Sequence, residues 1–197
     1  MSITTELSTE IPRRVDQTYR QYMFQHGIIN QQGQFIKNFS EDSYRQTAVK
    51  VLTEFYDIMS EKVTLFPMFG TLLGIVRGND LIPHDCDIDF GYFLNQQQEL
   101  LSALDELHGK EGFQVIRNQF NDLFSVGKDG VLIDLYRYDD HGVGDFLSQG
   151  SRKPYNLLTM EIYPMGEIEF AGKKMTCIAN PVAFFERYYG ADWETPK

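Results

Sequence analysis

The sequence predicts an α+β fold in which helices flank a mixed β-sheet whose strands largely form a meander. Two observations carry this prediction. Apolar residues recur at helical spacing in the first half of the chain, and short β-branched runs alternate with Gly-containing turns in the second half. The length of 197 residues and the hydrophobic content of 42% suit one domain with a core of its own.

The first 40 residues are polar and rich in Gln, and we interpret them as an N-terminal arm in front of a single domain, residues 41–197. A weak helical pattern covers residues 14–24 of this arm. The first long helix is predicted over residues 41–61, where the apolar residues at helical spacing are Ala48, Val51, Leu52, Phe55, Ile58 and Met59.

A strand, a turn and a short helix are predicted next. Residues 63–69 are apolar and β-branched, which is typical of a strand. Gly70 and Thr71 form the turn. A helical pattern then continues over residues 72–78.

A second strand and a longer helix follow Pro83. Proline keeps the residue before it out of the helical region, so the chain should enter residues 87–92 in an extended conformation. Asn95 is the predicted N-cap of a helix over residues 96–107, which Gly109 ends.

The second half of the chain is rich in strand signals. The predicted strands are residues 113–118, 123–126, 131–138, 157–162, 166–170 and 173–178. Turns at residues 128–130 and 171–172 connect two pairs of them, and a Gly-rich loop separates the first three strands from the last three. Asn180 and Pro181 begin a final helix that Gly190 ends.

Composition excludes several classes of protein. The chain has 18 Lys and Arg against 28 Asp and Glu, a net charge of −10, which argues against a nucleic-acid partner. Cys86 and Cys177 lie outside any CxxC motif and the 4 His are scattered, so we expect neither a zinc site nor a disulfide framework. The sequence has neither a leader-like nor a membrane-spanning apolar stretch, so we expect a cytoplasmic protein with at most peripheral membrane association.

Asp85, Asp87 and Asp89 alternate along a predicted strand and therefore share one of its faces. Neighbouring carboxylates repel one another, and a folded protein tolerates them mainly around a cation. Ligands of oxygen alone favour Mg²⁺ or Mn²⁺. An EF-hand is excluded because Phe90 and Gln96 stand where that loop needs Gly and Glu. A solvated acidic turn is the alternative.

The turn before the short helix has the features of a phosphate site. Gly70 lets backbone amides approach an anion, Thr71 adds a hydroxyl donor, and the helix N-terminus favours negative charge. Arg77, at the end of that helix, is a candidate for a bidentate phosphate contact. Its alternative is an ion pair with Asp80 or Asp85.

Asp134 is the one acidic residue among the apolar residues that begin the predicted strand 131–138. A buried acid is costly unless it is paired or bound to a metal, and the alternative is an edge-strand charge that faces water. If this strand lies beside residues 87–92, Asp134 joins Asp87 and Asp89. Such a trio can hold metal and accept a proton from an attacking hydroxyl.

These motifs together resemble the LicD/fukutin family of phosphotransferases, a branch of the nucleotidyltransferase superfamily. The central motif consists of residues 70–74 (GTLLG), Arg77 and residues 82–89 (IPHDCDID). The tail, residues 180–196, is similar to the closing segment of the family. The resemblance extends from about residue 55 to the C-terminus, which makes residues 41–197 a catalytic domain.

The resemblance implies a nucleotidyltransferase-like fold and a metal-dependent transfer of a phospho-alcohol, such as phosphocholine, ribitol phosphate or glycerol phosphate, from a CDP-linked donor. The implied acceptor is a hydroxyl of a glycan or lipid-linked sugar, as in the modification of cell-surface lipopolysaccharide or teichoic acid, and CMP is released. Mg²⁺ or Mn²⁺ is implied, held by the catalytic residues Asp87, Asp89 and Asp134. The implied phosphate or nucleotide contacts are Gly70, Thr71, Arg77 and Asp85.

The sequence departs from the family pattern at His84, where Trp is common, and at Cys86, where an acid is frequent. Asp87 and Asp89 are intact, so we expect an active enzyme. Two other functions would use the same residues. A true nucleotidyltransferase would attack the α-phosphorus of its donor. A non-catalytic module would bind metal-nucleotide or a partner protein, with the aromatic C-terminal helix as an interface.

Overall fold

The computed structural model describes residues 18–119, 122–139, 146–149 and 156–196. Within them, the helices are α1 (residues 18–25), α2 (Asp42–Ser60), α3 (Phe69–Gly78), α4 (Gln97–Leu107), α5 (Thr159–Ile162) and α6 (Pro181–Tyr189). The strands are β1 (Phe66–Pro67), β2 (Ile88–Phe93), β3 (Gln114–Gln119), β4 (Leu123–Lys128), β5 (Val131–Asp139), β6 (Phe146–Gln149), β7 (Leu157–Leu158), β8 (Gly166–Phe170) and β9 (Lys173–Cys177).

The main sheet is mixed, and helices pack on it, so the predicted α+β class is confirmed. Its strands lie in the order β1-β2-β5-β4-β3, and β6 and β7 extend it from β5. Strands β3, β4 and β5 form the predicted antiparallel meander, whereas β2 lies parallel to β5. Strands β8 and β9 form a separate hairpin.

The parallel pair β2/β5 determines where the acidic residues meet. Parallel neighbours require a crossover connection, and here the chain runs through α4, β3 and β4 before β5 returns beside β2. The register of this pair places Asp89 directly beside Asp134. The condition on which the predicted carboxylate trio depends is therefore met.

Two apolar clusters hold helices on the sheet. In the first, Val51 and Phe55 of α2 and Leu104 of α4 pack in one buried cluster with Phe90 and Ile133 of the sheet. The second cluster joins α3 and α6 to the sheet, and its largest fully buried members are Phe66, Tyr138, Phe184 and Phe185. The helices that carry site residues are thus fixed by burial of aromatic side chains.

Part of the predicted N-terminal arm packs on the sheet. Tyr22 lies over Gly127, where a Cβ would collide with the tyrosine ring, and its hydroxyl accepts a hydrogen bond from Gly130 N at 3.0 Å. The buried members of this small cluster are Tyr22, Met23, Ile28, Ile29, Ile116 and Leu132. Helix α1 is therefore anchored to the domain. The division of the chain into an arm, residues 1–40, and a domain, residues 41–197, stays a prediction.

The predicted ranges of α2 and α6 agree with the structure. Helix α2 lies within the predicted range 41–61. At the start of α6 the Asn180 side chain accepts a hydrogen bond from Ala183 N at 3.1 Å, and Pro181 occupies the first turn. Among the helices that the structure describes, none has both the length and the apolarity that crossing a bilayer requires.

Three predicted elements begin at other residues than expected. Helix α3 begins at Phe69, so Gly70 and Thr71 form part of its first turn and not a turn in front of it. Strand β1 is limited to two residues of the predicted strand 63–69, because Pro67 has no amide donor for a ladder and α3 begins soon after it. Asn95 is not the N-cap of α4. It lies within a 3₁₀ turn, Leu94–Gln96, whose hydrogen bonds lead directly into the helix.

The predicted strand 157–162 is wrong in its second part. Only β7 is extended, and the next residues form α5, in which the Glu161 side chain accepts a hydrogen bond from Leu158 N at 2.8 Å and so stabilises the first turn. The segment predicted as a Gly-rich loop contains β6, which pairs with β5 and β7. Periodicity does not separate helix from strand in runs this short.

Candidate active site

Three carboxylates meet where β2 and β5 lie side by side. Asp89 pairs with Asp134 in the parallel register, and Asp87 lies just before the start of β2. One carboxylate oxygen of each of these three residues lies within 4.8 Å of the others. Asp89 and Asp134 are buried, with 6% and 3% of their surface exposed. The sheet thus brings together the trio that the sequence predicted.

A pocket of about 380 Å³ lies beside this trio. Its acidic side is formed by Asp85, Asp87 and Asp89. The other lining residues, most of them aromatic or aliphatic, are Phe69, Gly70, Leu73, Ile82, Tyr136, Tyr188 and Tyr189. Small-molecule sites have volumes from about 300 Å³ upwards, so the pocket has room for a ligand of that class.

Burial raises the pKa of Asp87 and of Asp89 well above the ordinary range of a carboxyl group, and the neighbouring negative charges raise it further. Burial also raises the pKa of Asp85, although hydrogen bonds with Asp87 and with Cys86 N lower it in part. A cation among these oxygens would relieve the repulsion. A donor set of carboxylate oxygens alone fits Mg²⁺ or Mn²⁺.

Two residues of the predicted phosphate turn position the carboxylates. Thr71 is buried, and its Oγ1 accepts a hydrogen bond from Asp89 N at 2.9 Å. Gly70 leaves room for Asp85, because a Cβ at this position would collide with Asp85 Oδ2. Both residues lie in the first turn of α3. Direct phosphate contacts by Gly70, Thr71 and Asp85 stay a prediction.

The sequence prediction missed a row of polar residues next to Asp134. Ser125 of β4 lies beside Asp134, and Arg117 of β3 lies beside Ser125. A lone Ser or Arg in a strand carries no signal until the strand order is known. Tyr136 could have been found, because it stands two residues after Asp134 and shares its strand face. The Tyr136 hydroxyl hydrogen-bonds to Asp89 and lowers its pKa in part.

The match of the sequence to a family model identifies the family of this chain. Residues 62–180 match the family described as LicD/FKTN/FKRP, nucleotidyltransferase domain. The chain belongs to the LicD/FKTN/FKRP family. The residues of this LicD domain include every site residue that the sequence predicted, whereas α1 and α2 precede it. No curated protein matches the chain in sequence.

Solved structures of ANT(2")-Ia share the fold of this chain. A crystal structure of ANT(2")-Ia in complex with adenylyl-2"-tobramycin is 18% identical, covers 76% of this chain and 79% of that chain, and has a TM-score of 0.50. A solution structure of ANT(2'')-Ia is 16% identical, with coverages of 75% and 74% and a TM-score of 0.52. Lincomycin-bound LnuA, a lincosamide antibiotic adenylyltransferase, is 14% identical over 73% and 82%, with a TM-score of 0.46. The fold is nucleotidyltransferase-like, and the chain is a transferase of the LicD family.

Arg77 lies in the last turn of α3 and is not one of the residues that line the pocket of the LicD domain. Its Nε is buried and has no hydrogen-bond partner in the described part of the chain. Asp80, one of its alternative partners, instead pairs with Arg45, whose Nε lies 3.2 Å from Asp80 Oδ2. A phosphate contact of Arg77 stays a prediction.

The two departures from the family pattern differ in their surroundings. His84 is exposed, whereas Cys86 is a half-buried free thiol between Asp85 and Asp87. Burial raises the pKa of the Cys86 thiol, and the negative charge of Asp87 raises it further. The Cys86 thiol is therefore neutral at physiological pH when no cation lies beside it.

Replacement of Gly70 by Ala should impair the site while the fold persists. The new Cβ would push the Asp85 carboxylate aside, and because that group is the end of a side chain, it can move without unfolding α3. We expect kcat to fall about 10-fold or more, as for other changes to the residues that surround a metal site. Gly78→Ala in the same helix is the matched control, because a Cβ there meets nothing within 4 Å. Equal turnover of the two variants would show that the Gly70–Asp85 contact has no role.

Proposed function

We propose that the chain transfers a phospho-alcohol from a CDP-linked donor to a hydroxyl of a glycan or lipid-linked sugar, with Mg²⁺ or Mn²⁺, and releases CMP. The observation that carries this proposal is the convergence of Asp87, Asp89 and Asp134 within 4.8 Å, beside a pocket of about 380 Å³. The membership in the LicD family supports it. A precursor of a cell-surface glycan, such as lipopolysaccharide or teichoic acid, is the acceptor that we propose.

The three carboxylates, Thr71 and the aromatic pocket wall each have a role in this proposal. A divalent cation held by the three carboxylates would neutralise charge on the diphosphate of the donor. Thr71 holds the backbone of Asp89, and Asp134 would orient the acceptor hydroxyl and take its proton. The rings of Tyr136, Tyr188 and Tyr189 give the pocket an aromatic side on which a nucleobase can stack. Catalysis would consist mainly of positioning and charge neutralisation.

The test begins with thermal unfolding of the full chain in the presence of CDP-choline, CDP-ribitol or CDP-glycerol, each with Mg²⁺ and with EDTA. A donor at 100 times its Kd stabilises the folded protein by about 2.7 kcal/mol, which corresponds to a rise of several degrees in Tm. We expect one donor to produce this shift and to do so only with Mg²⁺. Absence of any shift with all three donors would contradict the proposal.

Product analysis separates the alternatives. With the stabilising donor and a panel of glycan acceptors, we expect release of CMP. Release of pyrophosphate from a nucleoside triphosphate would instead identify a true nucleotidyltransferase. Donor binding without turnover on any acceptor would identify a non-catalytic binding module.

A further inference from the structure

We propose that Arg117 is a positioning residue for Asp134, and that Tyr19 of helix α1 completes this arrangement. The inference rests on the proposed function, because Asp134 is the third carboxylate of that site. It concerns two residues that no motif indicates, and one of them precedes the residues that match the LicD family.

A β-bulge places Arg117 beside the carboxylates. Val115 pairs with Val126, but the next pair along β3 is Arg117 with Ser125, so Ile116 is the extra residue. Without the bulge Ile116 would stand beside Ser125, and Arg117 would point to the opposite face of the sheet. The bulge in β3 therefore places the positively charged Arg117 at the end of the row of residues Asp89, Asp134 and Ser125.

Arg117 and Ser125 together bind both oxygens of Asp134. Arg117 Nη2 donates to Asp134 Oδ2 at 2.5 Å, and Ser125 Oγ donates to Asp134 Oδ1 at 2.5 Å. Arg117 Nε also donates to Ser125 Oγ at 2.7 Å, which closes the triangle. The plane of the Asp134 carboxylate is thereby set before any ligand arrives.

Tyr19 covers the guanidinium group of Arg117. The centre of its ring is 4.1 Å from Arg117 Cζ, in cation–π geometry. Helix α1 is held on this side of the sheet by a buried cluster that includes Tyr22, Ile116 and Leu132. A segment outside the family match thus contributes to the arrangement around Asp134.

The test uses two variants of the full chain that keep its charge, Arg117→Lys and Ser125→Ala. Lysine has a single ammonium group and cannot bond Ser125 Oγ and Asp134 Oδ2 with a planar fork. We expect the Kd for Mn²⁺, measured by electron paramagnetic resonance of the free ion, to weaken about 10-fold in each variant. We also expect kcat at saturating Mn²⁺ to fall about 10- to 100-fold.

The Mn²⁺ measurement distinguishes positioning from mere structural support. A structural role would lower Tm and leave the Mn²⁺ affinity of the folded protein unchanged, so an unchanged Kd in both variants overturns the inference. If the wild type binds Mn²⁺ but turns over no CDP-linked donor, the proposed function fails, while the Kd comparison still decides the inference. If the wild type binds no Mn²⁺, both are overturned.

Two variants of Tyr19 test the contribution of helix α1. Tyr19→Phe keeps the ring and should bind Mn²⁺ as the wild type does, whereas Tyr19→Ala should weaken the Kd about 3-fold, as expected for loss of a cation–π contact. Gln21→Ala is the control, because Gln21 lies on the same helix and is exposed. Equal Kd values for Tyr19→Ala and Gln21→Ala would overturn the part assigned to Tyr19.

Discussion

Replacement of Asp89 by Asn should lower turnover about 10³-fold, a loss typical of removing one electrostatic contact from an active site. The Asn side chain has nearly the same shape, and the hydrogen bond from the backbone of residue 89 to Thr71 Oγ1 does not involve the carboxylate. What the variant loses is the charge beside Asp87 and Asp134, which a divalent cation requires. The Mg²⁺-dependent rise in Tm should disappear together with turnover.

The same variant should be more stable than the wild type when EDTA removes metal. Because the pKa values of Asp87 and Asp89 are raised in the folded state, the folded protein binds protons at these groups more tightly than the unfolded chain does. Their contribution to the free energy of unfolding therefore falls as the pH rises through the raised pKa values. We expect the advantage of Asp89→Asn in Tm to be present at neutral pH and to shrink as the pH is lowered.

The matched control is Asp57→Asn, which removes one negative charge from an exposed ion pair with Lys173. It should change neither turnover nor the Mg²⁺-dependent shift in Tm. CMP release gives the rate, and thermal unfolding with EDTA or with Mg²⁺ gives the stability. If Asp89→Asn kept turnover within tenfold of the wild type, the trio would not be the metal site.

Replacement of Arg187 by Met should lower the free energy of unfolding by roughly 3–5 kcal/mol. Arg187 of α6 bonds both oxygens of Glu161, with Nε to Oε1 and Nη2 to Oε2 each at 2.7 Å. Glu161 is only 2% exposed, so removal of its charged partner leaves a buried carboxylate whose negative charge, among the described residues, is compensated only by the hydrogen bond from Leu158 N. For a chain of this length, we expect Tm to fall by about 10 °C.

The Arg187–Glu161 ion pair also holds the helix that forms part of the pocket wall. It joins α5 to α6, and α6 carries Tyr188 and Tyr189 to the pocket wall. Below the Tm of the variant, we therefore expect the KM for the donor to rise more than kcat falls. A kinetic comparison at a temperature where both proteins are folded measures this difference.

Two further variants test whether the unpaired charge of Glu161 causes the loss of stability. The double variant Glu161→Gln/Arg187→Met removes the buried charge but keeps an oxygen that can accept the hydrogen bond from Leu158 N, so it should recover most of the lost stability. Lys173→Met breaks an exposed ion pair and should cost less than about 1 kcal/mol. If Arg187→Met unfolded at the same temperature as Lys173→Met, the buried pair would not support the contact between α5 and α6.

Local patterns were sufficient for much of the fold. The predicted strand 166–170 and the turn at residues 171–172 agree with the structure, in which Ala171 and Gly172 have φ angles of 49° and 76°. The Asn180-Pro181 start of α6 follows from capping chemistry in the same way. The Asn95 cap was an error of a local rule, because a 3₁₀ turn precedes α4, whereas two other errors arose where no local rule applied. A four-residue helix such as α5 has no distinguishing period, and a strand such as β6 has no signal until its partners are known.

The acidic motif itself could be identified from the chain alone, because Asp87 and Asp89 stand two residues apart at the predicted start of a strand, although β2 itself begins only at Ile88. The partners of that motif required long-range packing. Asp134 lies beside Asp89 because the crossover returns β5 next to β2, and Arg117 reaches Asp134 because the bulge at Ile116 shifts its register by one residue. Strand order and register depend on how the whole sheet buries its two faces, and no short segment carries that information.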